Sequence, residues 1–126
     1  MTTPDNLKYT REHEWCRPEG AEVVVGVTQY AASQLGDVVF VELPAVGAPV
    51  TAGQPFGVVE SVKSVSDLFA PVSGTVSAIN STLPDAPEQV NQDPYGEGWM
   101  IRIRPVPGDQ MTGLLSAADY AALIAG

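Results

Sequence analysis

One lysine stands where its amine could do chemistry. Lys63 lies at the centre of Val58-Val59-Glu60-Ser61-Val62-Lys63-Ser64-Val65-Ser66-Asp67, a stretch nearly symmetric about it. The β-branched residues on either side predict two paired strands. That places Lys63 at the tip of a tight hairpin, its stem wholly in water and small Ser61 and Ser64 beside it. Such an amine is open to a modifying enzyme. An amide to a cofactor acid would remove its charge and give it a long swinging arm. Two other readings fit the same turn: a solvated turn lysine, and an active-site Schiff-base lysine. The latter needs desolvation or a cationic neighbour to lower its pKa, and its neighbours Glu60 and Asp67 are acidic.

The rest of the chain offers little catalytic machinery. It has one His, one Cys, and no H-E-x-x-H, G-x-G-x-x-G, P-loop or G-x-S-x-G pattern. The expectation is therefore a carrier rather than an enzyme, with no catalytic residue and no metal ligand.

Charge isolates the lysine further. The 126 residues hold six Lys or Arg against fifteen Asp or Glu, a net charge of −9. No Lys or Arg occurs between positions 18 and 62, or between 64 and 101. This balance argues against nucleic acid or an anionic membrane surface as the main partner. No apolar run reaches the roughly 18–20 residues of a membrane span. The opening MTTPDNLKYT has neither the basic and apolar regions of a secretory signal nor the Arg-rich character of a transit peptide. The single Cys16 forms no internal disulfide, so a reducing cytoplasm is the expected location.

The elements that must position Lys63 are mostly short strands. Strands are predicted over 21–27, 37–43, 56–62, 65–70, 74–80 and 99–104. Thr28 caps a short helix that Gly36 closes, and Ser116 caps a C-terminal helix to about Ile124, with Leu114, Leu115, Tyr120 and Leu123 as its packing stripe. Residues 1–20 are polar and carry no predicted strand. Residues 44–55 read as turn and 81–98 as a long loop. Pro-x-x-Gly follows three strands, at Pro44–Gly47, Pro71–Gly74 and Pro105–Gly108; the glycines are expected to supply positive φ. The first two flank Lys63 and suggest two similar halves meeting there. Length and composition fit one domain over 1–126.

The segment Glu60-Ser61-Val62-Lys63, with Ser66-Asp67 and Pro71-Val72-Ser73-Gly74 after it, resembles the lipoyl-lysine motif of the glycine cleavage system H-protein family. LKYTREHEW (7–15), GVTQYAASQLGDVVFVELPAVG (26–47), VNQDPYGEGWMIRIRP (90–105) and LLSAADY (114–120) extend the resemblance over nearly the whole chain. It implies a mainly β, barrel-sandwich hybrid fold of the lipoyl/biotinyl-carrier kind, with a short internal helix and a C-terminal helix.

It also implies lipoate in amide linkage on Lys63, and a place in glycine decarboxylation and one-carbon metabolism. A PLP-dependent glycine decarboxylase (P protein) loads the arm with an aminomethyl group. An aminomethyltransferase (T protein) takes the carbon, and dihydrolipoamide dehydrogenase (L protein) reoxidises the dithiol. A lipoate ligase or octanoyltransferase attaches the cofactor, with Glu60, Ser61 and Val62 in the motif it reads. His13 and Glu14 are expected to line a cleft for the loaded arm, Glu14 pairing with the amine and Asp67 a second acid there. An alternative role is relay of lipoyl or octanoyl groups to other lipoyl domains. A biotin carrier would need Met on each side of the lysine, where Val62 and Ser64 stand. The chain is expected to be monomeric. Trp15 is a candidate core anchor and Cys16 a half-buried hydrophobe. Acylation of Lys63 would leave 18–101 without a cation, so a negative face is expected around the arm.

Overall fold

A run of apolar residues such as Val23-Val24-Val25 can be buried throughout when it forms a strand covered on both faces. That is how the computed structural model, which describes residues 3–107 and 113–125, uses it. The chain forms β1 (Lys8–Tyr9), β2 (Glu14–Glu19), β3 (Glu22–Val27), α1 (Gln29–Leu35), β4 (Val38–Glu42), β5 (Pro49–Val50) and β6 (Pro55–Ser61). It continues with β7 (Val65–Phe69), β8 (Gly74–Ile79), α2 (Gln89–Gln92), β9 (Ile101–Pro105) and α3 (Ala117–Ala125). The strands make a six-stranded sheet in the order β1-β2-β3-β9-β8-β5 and a three-stranded sheet in the order β4-β6-β7, antiparallel throughout. This is the mainly β, barrel-sandwich arrangement with its internal and C-terminal helices.

The main core lies between the sheets. Val23, Val25, Ile101 and Ile103 of the large sheet meet Val41, Val59 and Leu68 of the small one. Each such side chain contributes about 1.5–3 kcal/mol when fully buried. On the outer face of the large sheet Val24 joins Leu7, Tyr9, Trp15 and Tyr120 of α3 in a second cluster. Tyr9 and Tyr120 stack there with ring centroids 4.6 Å apart. In the small sheet β4 breaks the in-and-out alternation of a regular strand with a bulge between Val38 and Phe40.

Several expectations need correction. The polar segment 1–20 supplies β1 and β2, because Glu14, Trp15 and Cys16 pair with Val27, Gly26 and Val25. Glu14, Trp15 and Cys16 are all buried, Trp15 in the outer cluster and Cys16 in the main core, so no period shows there. Cys16 is fully buried rather than half-buried, and that burial pushes its thiol up to about 12. The 44–55 turn contains β5, the 81–98 loop contains α2, and the last strand starts at Ile101 rather than 99. Leu123 of the helix stripe is exposed, and Tyr120 is the anchor instead. Gly47 has the expected positive φ of 94°. Gly74 does not; it is glycine because a Cβ there would collide with the Arg104 carbonyl of β9. Gly108 lies outside the described residues. The chain after the first Pro-x-x-Gly does pair with the chain after the second, β5 with β8 and Gly47 N with Val76 O at 2.8 Å, but in the large sheet, whereas the Lys63 hairpin belongs to the small one.

Candidate functional site

The hairpin is built by one serine. Ser61 N donates to Ser64 O at 2.8 Å, and the Ser61 hydroxyl oxygen accepts from Lys63 N at 3.3 Å and Ser64 N at 3.1 Å. A hydroxyl that collects turn N–H groups replaces the backbone acceptor a two-residue loop lacks. Glu60 pairs with Val65, so the turn is centred between Val62 and Lys63 and not on Lys63. The apparent symmetry of the sequence is thus half a residue out of step with the register. Val62 N donates to Asp37 O at 3.1 Å, which ties the tip to the end of α1.

Lys63 is exposed, but its stem is not wholly in water. Its Cε lies 3.4 Å from the point where a Cβ on Gly36 would sit. Gly36, at φ 81°, is the floor under the stem. Asn91 of α2 fixes that floor: its Nδ2 donates to Gly36 O and its Oδ1 accepts from Val38 N, both at 2.8 Å. Nothing local to the hairpin announces Asn91, although it lies in the NQDPYGEGW block.

Beside the tip a cleft of about 280 Å³ opens between β7, α1 and the Glu12–Glu14 segment. Ser64 and Val65 stand at the hairpin end, Leu35, Val59 and Leu68 line it with apolar surface, and Glu12, His13, Glu14 and Asp67 supply the polar groups. No Lys or Arg is among its lining residues. His13, Glu14 and Asp67, more than fifty residues apart in places, therefore share one cleft that begins one residue past Lys63. Glu60 is elsewhere: it is half-buried between Phe40 and Val65 on the small sheet and does not line the cleft. Val62 is 70% exposed at the tip.

Glu14 is the unusual group. It is 2% exposed, accepts from the Thr10 hydroxyl at 2.5 Å and from Phe69 N at 3.2 Å, and faces no cation among the cleft residues. Burial raises its pKa from 4.5 to about 7, against the pull of those two hydrogen bonds. His13 holds a left-handed φ of 74° that bends the chain between Thr10 and Glu14. Its Nδ1 is 2.9 Å from the Tyr120 hydroxyl, which is 2.7 Å from Thr28 Oγ1, the acceptor that caps α1 through Ala31 N. Burial lowers the His13 pKa, so the ring is neutral at pH 7. Tyr120 thus links the C-terminal helix to the cleft wall, a role no sequence period signals.

A mainly β sandwich that presents an exposed lysine on a tight hairpin, beside a cleft with apolar lining and acidic ends, defines a carrier domain of the lipoyl class. The glycine cleavage H-protein family model matches residues 7–125. Curated relatives named glycine cleavage system H protein include those of Anaeromyxobacter sp. strain K and Geobacillus kaustophilus. Each is 56% identical over 124 residues, covering 98% of this chain and 97% and 98% of the relative. The crystal structure of a glycine cleavage system H protein from Mycobacterium marinum superposes with a TM-score of 0.89 at 42% identity, covering 98% of this chain and 99% of that one. The chain belongs to the glycine cleavage H-protein family, the lipoyl carriers of the glycine cleavage system.

Proposed function

We propose that Lys63 is the lipoyl attachment point, and that this chain is a single, non-catalytic cytoplasmic carrier domain serving the P, T and L proteins. The observation that supports it most is the adjacency of an exposed hairpin lysine and an acid-ended cleft starting at Ser64. The residues fit the cofactor: the amine is free to form an amide, Gly36 leaves room beside its stem, and the cleft wall of Leu35, Val59 and Leu68 suits an aliphatic arm. When attached, lipoate supplies a dithiolane that takes up an aminomethyl group and two electrons.

The chain's own residues then have distinct tasks. Ser61 and Asp37 hold the tip so that Lys63 projects. Glu14 and Asp67 pair with a protonated amine brought into the cleft. In a site that excludes water this attraction is far stronger than in bulk solvent. An amine arriving beside Glu14 restores the carboxylate that burial has disfavoured, and the displaced proton leaves to solvent. Glu60, Ser61 and Val62 present the motif that the ligase or octanoyltransferase reads.

Intact mass and peptide mapping of protein from its native cells tests the assignment. A lipoyl increment confined to Lys63 is expected. An unmodified or biotinylated Lys63 in cells with active lipoylation would overturn it.

A further inference from the structure

The bulge in β4 has a consequence for the surface beside the lysine. Regular alternation would turn Val39 outward and Phe40 inward. The extra residue between the Val38–Ser61 and Phe40–Glu60 pairs sends both outward instead, while Val38 and Val41 stay in the core. Val39 is 53% exposed and Phe40 45%. On the same outer row Phe40 neighbours Glu60, which neighbours Val65, 64% exposed, and Val62 stands just beyond at the tip. Bulges re-aim side chains next to functional sites. Four large apolar side chains around one hairpin exceed the scattered exposure that needs no explanation.

The charges around this patch are of one sign. Asp37, Glu42, Glu60 and Asp67 lie on or beside the three strands, and Lys63 is the only cation between positions 18 and 101. The large sheet differs. There Arg17, Arg102 and Arg104 are engaged with Glu19 and Glu22 at 2.8–3.6 Å. Lys63 apart, the acids of the small sheet have no Lys or Arg near them in sequence, so this face presents negative charge that a basic partner complements.

The geometry points to this bulge-built patch as the seat of the enzyme that acylates Lys63, a protein whose receiving surface pairs an apolar hollow with a rim of Lys or Arg. The inference rests on Lys63 being the acylated residue. Reach decides which partner needs the patch. Before acylation only the four-carbon stem of Lys63 extends from the hairpin, so the modifying enzyme must seat directly on the strands flanking it. After acylation the long arm lets later partners sit farther away.

The test uses the full chain in its unacylated form with a purified lipoate ligase, lipoate and ATP. Lipoate and ATP give the lipoyl adenylate and pyrophosphate; the Lys63 amine then displaces AMP from the activated carboxyl, one amide forms, and a proton leaves. Intact mass reads the rate. The double variant Val39→Thr, Phe40→Gln is expected to lower kcat/KM roughly tenfold or more, chiefly through KM, because apolar anchors at an interface centre carry most of the binding. The pair Val62→Ser at the tip and Val65→Thr on β7 gives a second reading should the first variant misfold, and is expected to act in the same direction. Val46→Ser, also exposed but in the 44–48 turn, is expected to be acylated at the unsubstituted rate. Folded variants of both patches acylated with unchanged KM would overturn the docking surface. Failure of the unsubstituted chain to be acylated at Lys63 would instead overturn the attachment site.

Discussion

The hairpin tip and the Glu12–Glu14 wall of the adjoining cleft are built in opposite ways. The tip is local: Ser61 through Ser64 close it with their own backbone and one hydroxyl, and the two loop residues are exposed. The wall adds distant partners to a local one: buried Glu14 takes the nearby Thr10 hydroxyl and Phe69 N of β7, and His13, held at positive φ, takes Thr28 N and the Tyr120 hydroxyl. A carrier needs both. The attachment point must be free of the body, whereas a group meant to meet an amine gains strength only where water is excluded. The tip should therefore tolerate change in stability terms and not in function, and the wall should show the two effects coupled.

Lys63→Arg is the most severe test of that separation. Arginine keeps the charge but its guanidinium stays protonated and forms no stable amide. Acylation should vanish, read by intact mass after exposure to ligase, lipoate and ATP. Urea unfolding should shift by no more than about 0.5 kcal/mol, the usual range for an exposed surface site. A large loss of stability would show the tip to be part of the folding scaffold and break the comparison.

Glu14→Gln should couple the two effects. The folded pKa of Glu14 is about 7 against 4.5 in the unfolded chain. Below 4.5 the carboxyl is protonated in both states and carries no ionisation cost. Between 4.5 and 7 only the unfolded chain releases the proton, so stability falls as pH rises, and above 7 the cost is complete. Glutamine mimics the protonated acid: its oxygen can face Phe69 N and its amide the Thr10 hydroxyl. The variant should match the parent at about pH 4 and exceed it by on the order of 2–3 kcal/mol at about pH 8. Parallel stability curves would show that the burial cost is absent. With the arm loaded, the same variant should shorten the lifetime of the amine-bearing adduct roughly tenfold, the loss of one charged hydrogen bond.

Tyr120→Phe removes a hydroxyl shared by His13 Nδ1 and Thr28 Oγ1. Two interrupted hydrogen bonds in a buried site cost about 1–2 kcal/mol. The stacked ring on Tyr9 is kept, so the fold should survive. Burial and not this bond lowers the His13 pKa, so NMR should find the ring's titration still depressed. A stability unchanged within about 0.5 kcal/mol would show that α3 packs on the wall without shaping it.

The same contrast explains what could be read from the sequence. The strands of the small sheet, the Thr28-capped helix and the hairpin were legible because their signals lie within ten residues: β-branched runs, a cap, a proline or glycine stop. The resemblance implies His13 and Glu14 through HEW, and Asp67 as a second acid, and all three line one cleft. The strand holding Glu14 was illegible, since Glu14, Trp15 and Cys16 are all buried and show no alternation. Asn91 and Tyr120 act through contacts 53 or more residues apart. The β4 bulge was hidden because Val38-Val39-Phe40-Val41 reads the same whether Phe40 points in or out.

Salt gives the mildest effect and separates the two regions most directly. The acids at the tip are partly or fully exposed, so their attraction to a basic partner is screened over about 10 Å at 0.1 M salt and about 3 Å at 1 M. Raising salt from about 50 to about 500 mM should raise the KM of an acylating or downstream enzyme by a few-fold, mostly through slower association. Glu14 is shielded from mobile ions, so the lifetime of an amine held in the cleft should change far less over the same range. Salt-independent docking would remove charge from the account of how partners find the tip. Equal salt sensitivity of docking and of the held amine would mean that the cleft is open to solvent when loaded, and that its wall works at the surface as the tip does.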